Sequence, residues 1–436
     1  MNHKIQHTYT VGCCLLLIIL LSGCKRVKQA SNASTMVQST NATKVNPTFL
    51  FLSDIHLDTQ SDSTIMGNDT GMDLWNNFLQ KADLILAGSN SPQFVIYTGD
   101  LPAHYSCDTC KPHDYLAPNV RGSHNNNLTV ILTGLRTLAN KYHKPFFYIP
   151  GNNDGLAGDY FSFADEQQQT PLSLVPDNSN PYPALNTHAS GNTPPYIVAN
   201  NNAAMDYYAV VPETGLRLIC LNTVLYTKNF TTVDGSDKTS DRDSQMTWLA
   251  SQLSAANALH EKVYIAMHVP PGIDAYSGHN TLWDDKHVNY QNIFLSLVAQ
   301  YQTSIAGIFY GHTHMDEMRR LYDSLGSITE VAISCPGVTP QHKNNPGFKT
   351  ISYDPASKEV TDFTTYYTHL ASQTWGDSTY TFSTIFNDTS RTNIYKFVAP
   401  MQLSDLSQKI SEIYTVMNGA PAYNITTGIE VKWGQK

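Results

Sequence analysis

Six short apolar runs, at 48–53, 94–97, 145–149, 216–221, 263–267 and 305–310, each close on a polar or glycine-bearing turn. Runs of this length read as buried strands. Between them lie stretches with apolar residues at helical spacing, near 71–87, 125–142, 242–259 and 287–302. Strand–helix alternation implies parallel strands whose crossovers cover the sheet faces. Further apolar runs near 329–335, 348–353 and 360–367 follow one another without helices and read as strands joined by short turns. The predicted fold class is α/β: a two-sheet β-sandwich flanked by helices, with a small helical C-terminal cap over 371–436 built around a helix near 403–417. Residues 166–204, rich in Gln, Pro, Asn and Ser, read as a long insertion of the kind that often forms a functional lid.

The N-terminus carries a different message. After Lys4, residues 11–21 are almost entirely apolar and end in Leu21-Ser22-Gly23-Cys24. That run is too short to span a bilayer and has the length of a signal-peptide core. Its end resembles the bacterial lipobox, which implies a lipid on Cys24, a signal over 1–23 and a polar, flexible tether over 24–46. The expected address is the cell envelope, lipid-anchored at the outer membrane or surface, or else secreted. In an exported chain, Cys107 and Cys110 read as a local disulfide, with Cys220 and Cys335 as buried thiols. The net charge is −9 and no basic run follows the first 30 residues, which argues against a nucleic acid polymer as partner. A monomer is expected.

The chemistry falls where strands end. Asp54-Ile55-His56 follows the first run, Gly99-Asp100 the second, Gly151-Asn152-Asn153-Asp154 the third, His268 the fifth and Gly311-His312-Thr313-His314 the sixth. Most lone D-x-H triplets are surface polar residues or turns, and a lone G-D is weaker still; five such motifs in order, each after an apolar run, are hard to obtain by chance. Two carboxylates, one amide and four imidazoles suit zinc, manganese or iron. Asp100 is the natural candidate to bridge two cations, and the glycines before Asp100, Asn152 and His312 are expected to let the backbone turn sharply beside them. Two metals about 3.5–4 Å apart can generate a hydroxide and clamp both oxygens of an in-line displacement at phosphorus.

In this order the motifs resemble those of the calcineurin-like metallophosphoesterases. The resemblance implies a metallophosphoesterase domain over 47–370. One metal would be held by Asp54, His56, Asp100 and His314, the other by Asp100, Asn152, His268 and His312, with a bridging hydroxide as nucleophile. Gly99-Asp-Leu-Pro-Ala-His104, His268-Val-Pro-Pro-Gly272, Thr339-Pro340, Asn345-Pro-Gly-Phe348 and Asp362-Phe-Thr-Thr-Tyr366 resemble the acid sphingomyelinases and their phosphodiesterase-like relatives. That group implies an exported, zinc-dependent phosphodiesterase acting on a small phosphodiester or a phospholipid headgroup, with His104 as general acid. Asn153 stands where the family usually has His, and an amide offers no titratable proton. Fungal endopolyphosphatases look alike at this point, so a phosphoanhydride hydrolase acting on polyphosphate or nucleotides is the alternative. A non-catalytic envelope binding protein is a third reading, against which the intact ligand set argues.

Overall fold

The computed structural model describes residues 45–104, 118–202, 207–274, 278, 280–283, 287–369, 375–376, 378–390, 392–417, 419 and 428–435. The expected signal segment, the tether up to residue 44, Cys24, Cys107 and Cys110 lie outside the described residues.

The first three apolar runs become β1 (Thr48–Leu52), β2 (Val95–Tyr97) and β3 (Phe146–Tyr148), paired in parallel and buried throughout. Burial on both faces is why these runs show no alternation. They share a seven-stranded sheet with β4 (Ala184–Leu185), β12 (Gly347–Tyr353), β13 (Val360–Tyr367) and β14 (Thr379–Thr381), in the order β14-β13-β12-β1-β2-β3-β4. The second sheet contains β5 (Tyr196–Asn202), β6 (Tyr207–Glu213), β7 (Leu216–Leu221), β8 (Lys262–Met267), β9 (Ile305–Tyr310), β10 (Met318–Tyr322), β11 (Ile328–Ser334) and β15 (Glu430–Val431). Its order is β15-β10-β11-β9-β8-β7-β6-β5, with β7, β8, β9 and β11 parallel.

Side chains of β7 and β8 divide between two cores, as period-two geometry requires. Leu218, Cys220, Tyr264 and Ala266 face the sandwich interior, whereas Ile219, Leu221, Ile265 and Met267 join the cluster under α3 (Thr239–Ala258) and α4 (Tyr290–Gln300). On the other sheet, α1 (Met72–Ala87) buries Leu74, Trp75, Phe78, Ala82 and Leu86, a single helical face, beside α2 (Pro118–Tyr142). The interior is aromatic. Phe309 of β9 meets Phe49 and Phe51 of β1 edge-on, at centroid separations of 5.1 and 5.6 Å. Such pairs add about 0.5–1.5 kcal/mol each beyond area burial, and they lock one sheet to the other.

Two regions differ from expectation. The insertion 166–204, expected as a long loop, supplies β4 to the edge of one sheet and β5 to the edge of the other, because its short apolar segments find ladder partners in β3 and β6. The C-terminal stretch, expected as a small helical cap, does carry helices α5 (Phe382–Phe386), α6 (Ile394–Val398) and α7 (Leu403–Ile413). It also adds β14 to one sheet and β15 to the other, and Phe382, Leu406, Ile410 and Ile413 enter the same core as β1. Cys220 and Cys335 are buried, and Cys335 Sγ donates to the Phe51 carbonyl. Among the described residues no helix is long and apolar enough to cross a membrane.

Candidate metal centre

The loops leaving β1 and β2 prolong their parallel ladder. Asp54 donates its backbone N–H to the Gly99 carbonyl and His56 to the Asp100 carbonyl, both at 3.0 Å. Across the sandwich, Gly311 donates to the His268 carbonyl at 3.1 Å. Five of the seven predicted ligands then adopt left-handed backbone: Asp54 (φ 50), His56 (φ 45), Asp100 (φ 53), His312 (φ 71) and His314 (φ 59). Each such residue costs on the order of 1–3 kcal/mol and persists only where its surroundings impose it, a pattern that clusters at functional sites.

The glycines work partly by another means than expected. Gly99 is left-handed, at φ +78, but Gly151 and Gly311 are not. Those two are required for space: a Cβ on Gly151 would lie 2.2 Å from Asp100 Oδ1, and one on Gly311 1.9 Å from Ser53 Oγ. Asp154 staples the β2 and β3 loops together. Its carboxylate accepts the backbone N–H groups of Gly151 (2.7 Å), Leu101 (2.7 Å) and Asp100 (3.2 Å) and the Tyr148 hydroxyl (2.7 Å).

All seven predicted ligands converge on one cluster. His56 Nδ1 is 3.1 Å from the Pro102 carbonyl, which can only accept, so Nδ1 carries the proton and Nε2 a lone pair. That Nε2 lies 3.1 Å from His314 Nε2 and 3.4 Å from Asp100 Oδ2, while His314 Nε2 lies 3.5 Å from Asp54 Oδ1. The same logic holds at the neighbouring set. His268 Nδ1 donates to the Thr98 carbonyl, leaving Nε2 3.1 Å from Asn152 Oδ1 and 3.3 Å from Asp100 Oδ2. Asn152 Nδ2 donates to Asp159 at 2.8 Å, which turns its Oδ1 toward the cluster. His312 joins Asp100 and His268, with ligand atoms all within 4.8 Å of one another. Buried acceptors aimed at acceptors are unfavourable without a proton or cation between them. The residues therefore fit divalent cations, in two sets that share Asp100.

Charge follows from burial. Burial pulls His56 and His314 well below the usual imidazole range and His312 down to about 3, so these rings are neutral, as ligands must be. Burial pushes Asp54 up to about 7. Burial opposes charge on Asp100 and His268 as well, but their mutual attraction prevails, holding the carboxyl low and lifting His268 to about 9. Cations in the cluster would take over that compensating role.

His104 stacks on His56 at a centroid separation of 3.7 Å and brings a ring nitrogen within 4.8 Å of those of His56 and His314. Its Nδ1 and backbone N–H both bond the Asp69 carboxylate at 2.8 Å. Burial pulls His104 down, but Asp69 more than offsets this and holds it above its ordinary value. Asn153, in the departure from the family pattern, clasps the shared carboxylate: its backbone N–H donates to Asp100 Oδ1 at 2.8 Å and its Nδ2 to Oδ2 at 2.9 Å. A cavity of about 300 Å³ opens over the cluster, with Asp159, Tyr160, Lys228, Asp274 and His342 in its walls. Asp69, Asp159 and His342 were not legible as site residues. Asp69 and Asp159 lie in no motif, and His342 falls in the unpatterned gap between Thr339-Pro340 and Asn345-Pro346.

The model of the calcineurin-like phosphoesterase family matches residues 47–316. The sphingomyelinase phosphodiesterase D of Dictyostelium discoideum is 32% identical over 292 residues, covering 65% of this chain and 57% of that protein. The cyclic GMP-AMP phosphodiesterase SMPDL3A of Mus musculus is 29% identical over 303 residues, covering 67% and 60%. The chain thus spans less than two thirds of the length of these relatives. Among solved structures, a dimetal phosphatase from Danio rerio aligns over 77% of this chain and 98% of its own, with a TM-score of 0.47 and 15% identity. The family match covers well over half of the chain and contains every strand end that contributes to the cluster, so this protein belongs to the calcineurin-like phosphoesterases.

Proposed function

We propose that the protein is a metal-dependent phosphodiester hydrolase with two cations per chain, zinc in both positions, acting on a small phosphodiester of the kind its sphingomyelinase-like relatives are named for. The observation that carries this reading is the pair of facing acceptor sets sharing Asp100. When bound, two divalent ions supply Lewis-acid stabilisation of phosphoryl oxygens and lower the pKa of water. The chain's own residues do the rest. Asp54, His56 and His314 would hold one position and Asn152, His268 and His312 the other, with Asp100 common to both sets. With Nδ1 fixed by Asp69, His104 keeps Nε2 for the leaving group, where a positioned general acid contributes about 10²–10⁴-fold. Asn153 cannot serve as that acid. Among the described residues beyond the ligands, the cavity wall bears Asp159 and Asp274 beside Lys228 and His104, with no excess of cations that would favour a polyanion.

The test is turnover by the zinc-loaded chain of sphingomyelin, a cyclic dinucleotide and polyphosphate side by side, with His104→Ala as control. His104→Ala should slow a diester with an alcohol leaving group about 10²-fold or more, and one releasing p-nitrophenolate far less, because that anion departs unprotonated. Equal losses on both would remove His104 from the acid role, and turnover of polyphosphate alone would overturn the diester assignment. Export and a lipid on Cys24 belong to the same proposal, as does a Cys107–Cys110 disulfide; mass spectrometry of the mature N-terminus should find a diacylated Cys24, and an unmodified terminus elsewhere would remove the anchor.

A further inference from the structure

His342 belongs to no strand end and to neither acceptor set, yet it faces the same cavity. It lies in the loop after β11, where His342 (φ 63) and Lys343 (φ 61) take consecutive left-handed conformations. Two such residues in a row, neither of them glycine, require an imposed conformation. The loop is fastened on both sides of them. The Pro340 carbonyl accepts the N–H groups of Gly67 and Lys343, both at 3.1 Å. Asn344 Nδ2 donates to the carbonyl of His314, and Asn345 Nδ2 to the carbonyl of Val416 at 3.1 Å. The product of this bracing is a ring set edge-on to His314, with centroids 4.6 Å apart at 89°, and to His104, 6.0 Å apart at 81°. His342 therefore borders the corner of the cavity that His104 serves. A neutral imidazole in either tautomer carries one N–H group.

We propose that His342 is a positioning residue: its imidazole hydrogen-bonds the leaving group and holds the departing oxygen in line for protonation by His104. The inference rests on the phosphodiesterase reading and adds to it the side of the cavity where the leaving group sits. In the step, the P–O bond to the leaving group breaks, the oxygen of water forms the new P–O bond, and the proton that this water loses passes to solvent, from which His104 is reprotonated after turnover. The departing oxygen takes the proton from His104 Nε2. His342 neither gains nor loses a proton.

The test uses the full, zinc-loaded chain and a series of aryl thymidine 5′-phosphates running from p-nitrophenyl to phenyl. His342→Gly relieves the left-handed backbone while removing the ring; His342→Asn tolerates the same backbone and keeps an N–H donor. His342→Gly should lower kcat about tenfold on the phenyl ester and about twofold on the p-nitrophenyl ester, a loss of orientation rather than of binding. His342→Asn should recover part of the difference. In a His104→Ala background His342→Gly should cost little more, since residues that act through one another are not additive. Equal losses across the series, full additivity with His104→Ala, or loss of a metal ion from His342→Gly would overturn the assignment. Wild-type inactivity on the whole series with metal bound would instead remove the phosphodiesterase reading, and this inference with it.

Discussion

Both oxygens of Asp100 take a donor from Asn153, at 2.8 and 2.9 Å, and Oδ2 still faces Nε2 of His56 and of His268 at 3.4 and 3.3 Å. A carboxylate with four lone-pair sites can satisfy both demands; an amide cannot, because it exchanges one acceptor for a donor. Asp100→Asn should therefore weaken both metal positions together, by more than the about 10–100-fold in affinity that loss of a ligand's hydrogen-bond partner costs. Metal analysis after exhaustive dialysis should find both ions depleted. Depletion of only one would mean that Asp100 serves a single site. The Asn153 clasp also gives the departure at this position a physical meaning. The residue has lost the option of proton transfer and acts as a fixed two-point donor to the shared carboxylate.

Strand-end loops here leave no room to spare, and Gly311 at the end of β9 is the tightest instance. A Cβ at this position would meet Ser53 Oγ at 1.9 Å and Asp54 Oδ2 at 2.9 Å, one loop of each sheet pressing on the other. Gly311→Ala must push them apart, and overpacking of this kind costs about 1–3 kcal/mol. Calorimetry should find a folded protein with lowered Tm and reduced metal retention, since Asp54 accepts from the His312 N–H at 3.0–3.1 Å across the same contact. Full metal retention would show that the two loops move independently. The opposite side of the β9 loop is braced by buried charge. Asp316, two residues past His314, takes Lys349 of β12 at 2.5 Å, Thr365 of β13 at 2.8 Å and Tyr380 of β14 at 2.7 Å. In this way a C-terminal strand far along the chain helps to hold the second half of the metal centre.

At the scale of the whole molecule, one buried carboxyl links stability to pH away from the metal centre. Burial pushes Glu330 of β11 up to about 8, from an ordinary 4.5. Between those values the folded chain keeps the proton and the unfolded chain has lost it, so stability falls as pH rises, by up to about 1.4 kcal/mol per pH unit. Glu330→Gln should remove this component: the Tm difference, variant minus wild type, should grow between pH 5 and 8. Parallel curves would show that Glu330 is ionised in the folded state. The strand runs, the five motifs and the metal-type donors could all be read from the chain, because burial on both faces writes a continuous apolar run and a strand end must break it. The order of the motifs was enough for the resemblance to the calcineurin-like phosphoesterases, a family the match over 47–316 then established. What the linear chain could not express is which strands adjoin. Only the pairing of β1 with β2 and the seating of β9 against β1 bring Asp54 and His314 together, 260 residues apart in sequence. Asp69, Asp159 and His342 were invisible for the same reason: a hydrogen-bond partner or cavity wall is defined by position in space, and lone polar residues in loops carry no periodicity. The tight glycines belong here too, since a missing Cβ at Gly151 or Gly311 reads as a turn in the sequence and becomes a contact only when two loops are pressed together.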